Sequence, residues 1–126
     1  MAVSENSAIA EARNRAVGGG RLSLGLCVGA ASVKAVELAR CEGGLNVGRV
    51  EVFSHGCNVR ECLAKVLERF PLDAYDYVCM TGRKFKGLTN LPTITEPEAT
   101  ELALRFVASA SDQPCDALLS LSAENF

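Results

Sequence analysis

The chain has 126 residues, 48% of them apolar, enough for one compact domain with its own core and too few for two of ordinary size. Lys and Arg number 13 against 15 Asp and Glu, a net charge of −2, which excludes a nucleic-acid binder that works through a basic face. No apolar run approaches the roughly 20 residues that span a bilayer, and residues 1–20 lack the apolar segment of a secretory signal, so a cytoplasmic protein without membrane association is expected.

Residues 1–20 are polar and Ala-rich and end in Gly18-Gly19-Gly20, which reads as a flexible leader ahead of a domain over 21–126. From Leu22 to Val28 the chain is apolar enough for a strand buried on both faces. Gly29-Ala30-Ala31-Ser32 is small enough for a tight reversal. Val33 to Arg40 is a second strand, with Val36 and Leu38 on one face and Ala35, Glu37 and Ala39 on the other. Cys41-Glu42-Gly43-Gly44 is a turn by composition, and Leu45 to Phe53 returns as a third strand, completing an antiparallel meander.

The period changes at Asn58. Asn58 and Glu61 form a variant capping box, and Val59, Leu63, Val66, Leu67 and Phe70 make the apolar stripe of a helix that Pro71 stops. Tyr75 to Met80 is a short fourth strand, followed by Thr81-Gly82 and a basic loop with Arg83, Lys84, Lys86 and Gly87. Thr95-Glu96-Pro97-Glu98 is a strong helix start, and Ala99, Leu102, Ala103, Phe106, Val107 and Ala110 give that helix its apolar stripe. Cys115 to Leu121 reads as a fifth strand. The order β-β-β-α-β-α-β implies an α/β domain built on a mixed five-stranded sheet.

The cysteines, Cys27, Cys41, Cys57, Cys62, Cys79 and Cys115, include no C-x-x-C pair and several lie inside apolar runs, the pattern of buried reduced thiols. His55, Cys57 and Cys62 can be drawn as a soft-metal site, but no fourth ligand stands at a suitable spacing. A reactive Cys27 would need a lowered pKa, with Lys34 the only cation near it in sequence.

The element order, with a glycine turn between the first two strands, resembles the first subdomain of the actin-like, ribonuclease H-like ATPase superfamily. Within that superfamily it is most similar to the BadF/BadG/BcrA/BcrD family, the ATPase activators of 2-hydroxyacyl-CoA dehydratases and benzoyl-CoA reductases. Three stretches carry the resemblance. Residues 25–36, GLCVGAASVKAV, are similar to the family's first phosphate motif, commonly GIDVGSTSTKAV. Thr81-Gly82-Arg83 looks like a shortened TGYGR, and Ile94-Thr95-Glu96 looks like the ITE helix start. Leu119 to Asn125 falls where the family has its second phosphate motif but lacks both glycines.

The resemblance implies ATP or ADP with Mg²⁺ at Gly25, Gly29, Ser32, Lys34, Thr81 and Gly82, and a partner that is a dehydratase-like protein or a second copy. The departures imply a degenerate site. Cys27 stands where the family has Asp, and a thiol is a poor ligand for Mg²⁺. Ala30, Ala31 and Val33 replace hydroxyl residues. Weak or absent hydrolysis is therefore expected, with no catalytic residue and no metal ligand assigned. No iron–sulfur cluster is expected, since none of the cysteines matches the family's ligand positions and Ala99 stands where the helix-start motif has Cys. The same resemblance implies that the domain is incomplete at its C-terminal end. The alternative is a non-catalytic interaction or dimerisation module on the same fold.

Overall fold

A computed structural model describes residues 20–82 and 89–110. Strands β1 (Arg21–Val28), β2 (Ser32–Cys41) and β3 (Gly44–Ser54) form the antiparallel meander. Helix α1 (Val59–Arg69) and a 3₁₀ turn (Leu72–Ala74) lead to β4 (Tyr77–Thr81), which lies parallel to β1. Helix α2 (Glu96–Ala110) follows. The sheet order is β3-β2-β1-β4, a mixed four-stranded sheet among the described residues. The predicted leader up to Gly19, the basic loop and the fifth strand Cys115 to Leu121 lie outside the described residues.

Strand alternation decides which side chains enter the core. β1 buries Leu22, Leu24, Leu26 and Val28 on one face and leaves Ser23, Gly25 and Cys27 half-buried on the other, so the expectation of burial on both faces is corrected. The reason is that α1 packs on one face only, against β2 and β3, and α2 makes no comparable packing on the other. Helix α1 supplies Val59, Cys62, Leu63 and Val66, and Phe70 closes its end with no exposed surface. Each such large apolar side chain contributes about 1.5–3 kcal/mol on burial. Asn58 caps the helix as predicted, its side chain accepting the Glu61 N–H at 3.2 Å.

The buried face of β2 is Val33, Ala35, Glu37 and Ala39, so a carboxylate lies inside the core at 1% exposure. Two features make room for it. A bulge in β3 sets Gly48 and Arg49 against Glu37, and a Cβ on Gly48 would stand 2.8 Å from Glu37 Oε1. The Tyr75 hydroxyl donates to Glu37 Oε2 at 2.8 Å, while the Arg49 guanidinium stacks 4.0 Å from the centroid of Phe70, which meets Phe53 edge to face. Tyr75 is thereby committed to the core. Asp76 is committed too: its carboxylate accepts the Leu22 N–H and its N–H donates to Leu22 O, each at 2.8 Å. These commitments delay β4 to Tyr77, two residues after its predicted start.

Helix α2 has the expected start. Thr95 N–H and Oγ1 both donate to the Glu98 carboxylate at 2.9 Å, and the Glu98 N–H returns to Thr95 Oγ1 at 3.3 Å. The segment before it is tied to β4 by Met80 N–H to Pro92 O (2.9 Å) and Ile94 N–H to Met80 O (3.0 Å). The predicted apolar stripe is only partly covered: Ala99 and Phe106 are half-buried, while Leu102 is 57% exposed and Val107 59%. Neither described helix is long and apolar enough to cross a membrane.

Candidate functional site

Open α/β sheets hold ligands in the crevice beyond the carboxyl ends of parallel strands. Here that place is formed by the ends of β1 and β4, which run side by side with Cys27 in register with Thr81. The turn Gly29 to Ser32 leaves β1 there, and Gly82 follows β4.

The turn is closed by Gly29 N–H donating to Ser32 O at 2.8 Å. Ala30 and Ala31 are exposed, and among the described residues no hydrogen bond engages their amides. Two N–H groups with no side chain in the way can donate to an anion's oxygen atoms. Gly82 (φ +152°) packs against the same place: a Cβ on it would lie 2.6 Å from Val28 O, so the close approach of β4's end to β1's end depends on glycine.

The residues predicted for the site are brought together unevenly. Gly29, Ser32, Thr81 and Gly82 converge at the strand ends, and Lys34 lies opposite Cys27 in the β1–β2 register, exposed and on the same face. Thr81 Oγ1 is shielded from solvent and has no hydrogen-bond partner among the described residues. Gly25 stands apart, four residues back along β1 or about 13 Å at strand rise, and an added Cβ there would meet only Val36 O at an ordinary 3.8 Å.

Burial pushes the Cys27 thiol up; Lys34 acts to lower it and Glu96 to raise it further. The side chain is thus a neutral thiol at ordinary pH, which fits neither a hard Mg²⁺ nor a nucleophile. Glu96, the first residue of α2, thus acts on the Cys27 thiol from outside the sheet, on a helix start tied to β4 through Ile94 N–H to Met80 O. Reading the sequence by strands missed it, although the Ile94-Thr95-Glu96 helix start was its signal.

His55, at the end of β3, was also missed. Its Nε2 bonds Gly29 O at 2.9 Å, its backbone N–H donates to Ala31 O at 3.1 Å, and its Nδ1 accepts the Cys57 N–H at 3.1 Å. Both ring nitrogens are thereby engaged, which leaves the imidazole no lone pair for the soft-metal site that the sequence allowed with Cys57 and Cys62. Cys62 Sγ turns to Phe53 O, its thiol pushed up by burial, and Cys57 faces solvent. Among the described residues no three His, Cys, Asp or Glu side chains gather as a metal centre.

The fold and this turn define a mixed α/β arrangement with two amides that no described residue engages at the end of a parallel strand pair. No family model matches the chain, and no curated protein matches it. Among solved structures it is similar to the Fowlpox virus resolvase in complex with substrate Holliday junction DNA, at 11% identity over 72% of this chain and 78% of that one, with a TM-score of 0.44. It is also similar to the Aquifex aeolicus member of the Ppx/GppA family, at 14% identity and a TM-score of 0.45. That match covers 75% of this chain and 41% of the Aquifex protein.

Proposed function

We propose that this chain is an actin-like, ribonuclease H-like subdomain that binds the phosphates of ATP or ADP through the Gly29 to Ser32 turn and hydrolyses them weakly or not at all. The carrying observation is that Ala30 and Ala31 are exposed and that no described residue engages their amides, at the carboxyl ends of β1 and β4. The meander with β4 parallel to β1 supports the superfamily reading. The ordered motif stretches at residues 25–36, 81–83 and 94–96 support a divergent relative of the acyl-CoA dehydratase activators, whose partner would be a dehydratase-like protein.

The residues fit phosphate and do not fit magnesium. Backbone N–H groups and Lys34 supply donors and charge for phosphate oxygens, whereas the position facing Lys34 across the hairpin holds a protonated thiol. Without a metal and its ordered water, charge placement for phosphoryl transfer is missing. Calorimetric titration with ATP and ADP, with and without Mg²⁺, tests this. Binding that is indifferent to Mg²⁺ and lost in Gly29→Arg is expected, with Mg²⁺ dependence introduced by Cys27→Asp. No binding by either the natural chain or Cys27→Asp would overturn the phosphate reading.

A second reading, an interaction module, is favoured by one observation. Among the described residues β3 is an edge strand, and its solvent face carries Val47, Val50 and Val52 at 50%, 54% and 62% exposure. Light scattering that finds a stable oligomer indifferent to nucleotide would support it.

A further inference from the structure

His55 is the chain's one histidine, 7% exposed, and it grips the candidate phosphate turn from behind. In a trans peptide the C=O and the next N–H point in opposite directions. Nε2 holds the carbonyl of Gly29, which turns the Ala30 N–H away from the imidazole; the His55 backbone N–H holds the carbonyl of Ala31, which does the same to the Ser32 N–H. One residue therefore fixes two of the turn's three peptide planes, leaving the Ala30–Ala31 plane to adjust.

The ring itself is oriented from the other side. Gly56 (φ +50°) and Cys57 (φ +67°) adopt left-handed conformations in succession, which is costly for a residue with a side chain. The result is a Cys57 N–H aimed at Nδ1 and an Asn58 N–H on His55 O at 2.7 Å. Since Nδ1 accepts an amide hydrogen and a carbonyl can only accept, the neutral ring must carry its hydrogen on Nε2. Asn58 then caps α1, so the turn, the imidazole and the helix start form one hydrogen-bonded chain.

We infer that His55, as its Nε2–H tautomer, is the positioning residue that fixes the Gly29–Ala30 peptide plane and so presents the Ala30 amide of the turn to a phosphate. This rests on the phosphate reading above, and its test begins without ligand so that the two can fail separately. Long-range ¹⁵N correlation of the single imidazole should show Nδ1 unprotonated and Nε2 bearing the hydrogen; the opposite tautomer overturns the inference. His55→Gln can place an N–H near the Nε2 position, and His55→Asn cannot. The Ala30 amide shift should hold in Gln and move in Asn, while the amides of α1 show both variants folded.

ATP affinity should then fall by about three- to tenfold in His55→Asn and be rescued in His55→Gln, the size expected for one lost hydrogen bond. Equal affinity and equal turn shifts in both variants would overturn the role of His55. Absence of ATP binding by the natural chain, with the tautomer and the turn shifts as expected, would sink the phosphate reading and leave His55 as the organiser of the turn.

Discussion

Removing the Tyr75 hydroxyl tests whether the carboxylate inside this core is held by the geometry described. Glu37 is 1% exposed, and Tyr75 donates to its Oε2 at 2.8 Å. A hydrogen bond to a charged group is worth about 1.5–3 kcal/mol, and Tyr75→Phe deletes it without opening a cavity larger than one oxygen. For a domain of this size that loss lowers Tm on the order of 5–15 °C. Glu37→Gln alone and with Tyr75→Phe completes a double-mutant cycle, in which a coupling of about 0.5–3 kcal/mol is expected for two contacting groups. The same pair makes a pH prediction. Burial chiefly, then the hydrogen bond and charge of Glu37, push the Tyr75 hydroxyl up to about 12, with Arg49 opposing. The neutral phenol is the bonded form, so its contribution is intact below pH ~10 and is lost as the pH rises from there through about 12. Absorbance titration of a Tyr77→Phe variant isolates this phenol, since the chain has two tyrosines and no tryptophan. Its midpoint should fall when Glu37 becomes Gln. A Tyr75→Phe protein within about 0.5 kcal/mol of the parent, inside ordinary surface-mutation scatter, would refute the argument.

Two further predictions concern the site. Gly82→Ala forces a Cβ to 2.6 Å from Val28 O at φ +152°, so a cost of about 1–3 kcal/mol is expected in thermal melts, whereas Gly43→Ala, with nothing within 4 Å, should change stability far less. Cys27, half-buried with its thiol pushed up, should be alkylated by iodoacetamide at neutral pH more slowly than exposed Cys57; peptide mass spectrometry that finds Cys27 labelled first would contradict the neutral-thiol assignment.

The parts of the fold legible in the sequence were those written in local chemistry. Asn58 with Glu61, and Thr95 with Glu98, signal helix starts because the capping bonds span three residues. The glycine turns signal the meander because a tight reversal needs small residues. What could not be read lies in contacts far apart in the chain. The sequence places Glu37 on one face with Ala35 and Ala39 but does not say that this face is buried; its burial depends on Tyr75, 38 residues away, and on the space left at Gly48. The delayed start of β4 has the same origin, because Tyr75 and Asp76 answer to Glu37 and Leu22 rather than to strand alternation.

The candidate site shows the same division more sharply. Gly29 and Lys34 were legible because a hairpin is local. His55 was not, since nothing in its neighbours names Gly29 O, 26 residues earlier, as its partner. Glu96 was visible as a helix-start residue yet not as a site residue, because only the tie of Pro92 and Ile94 to Met80 brings that helix start alongside β4. Together these two residues bear on the proposed reading of Cys27, where the resemblance expects a carboxylate. A site that had merely decayed would have no reason to keep two peptide planes of its turn held by a residue in left-handed company. The turn is held, and β1 carries no carboxylate. On the proposed reading such an arrangement would sense a phosphate without consuming it, and the titrations with Cys27→Asp and His55→Asn separate sensing from decay: the first supplies a carboxylate, the second releases the turn.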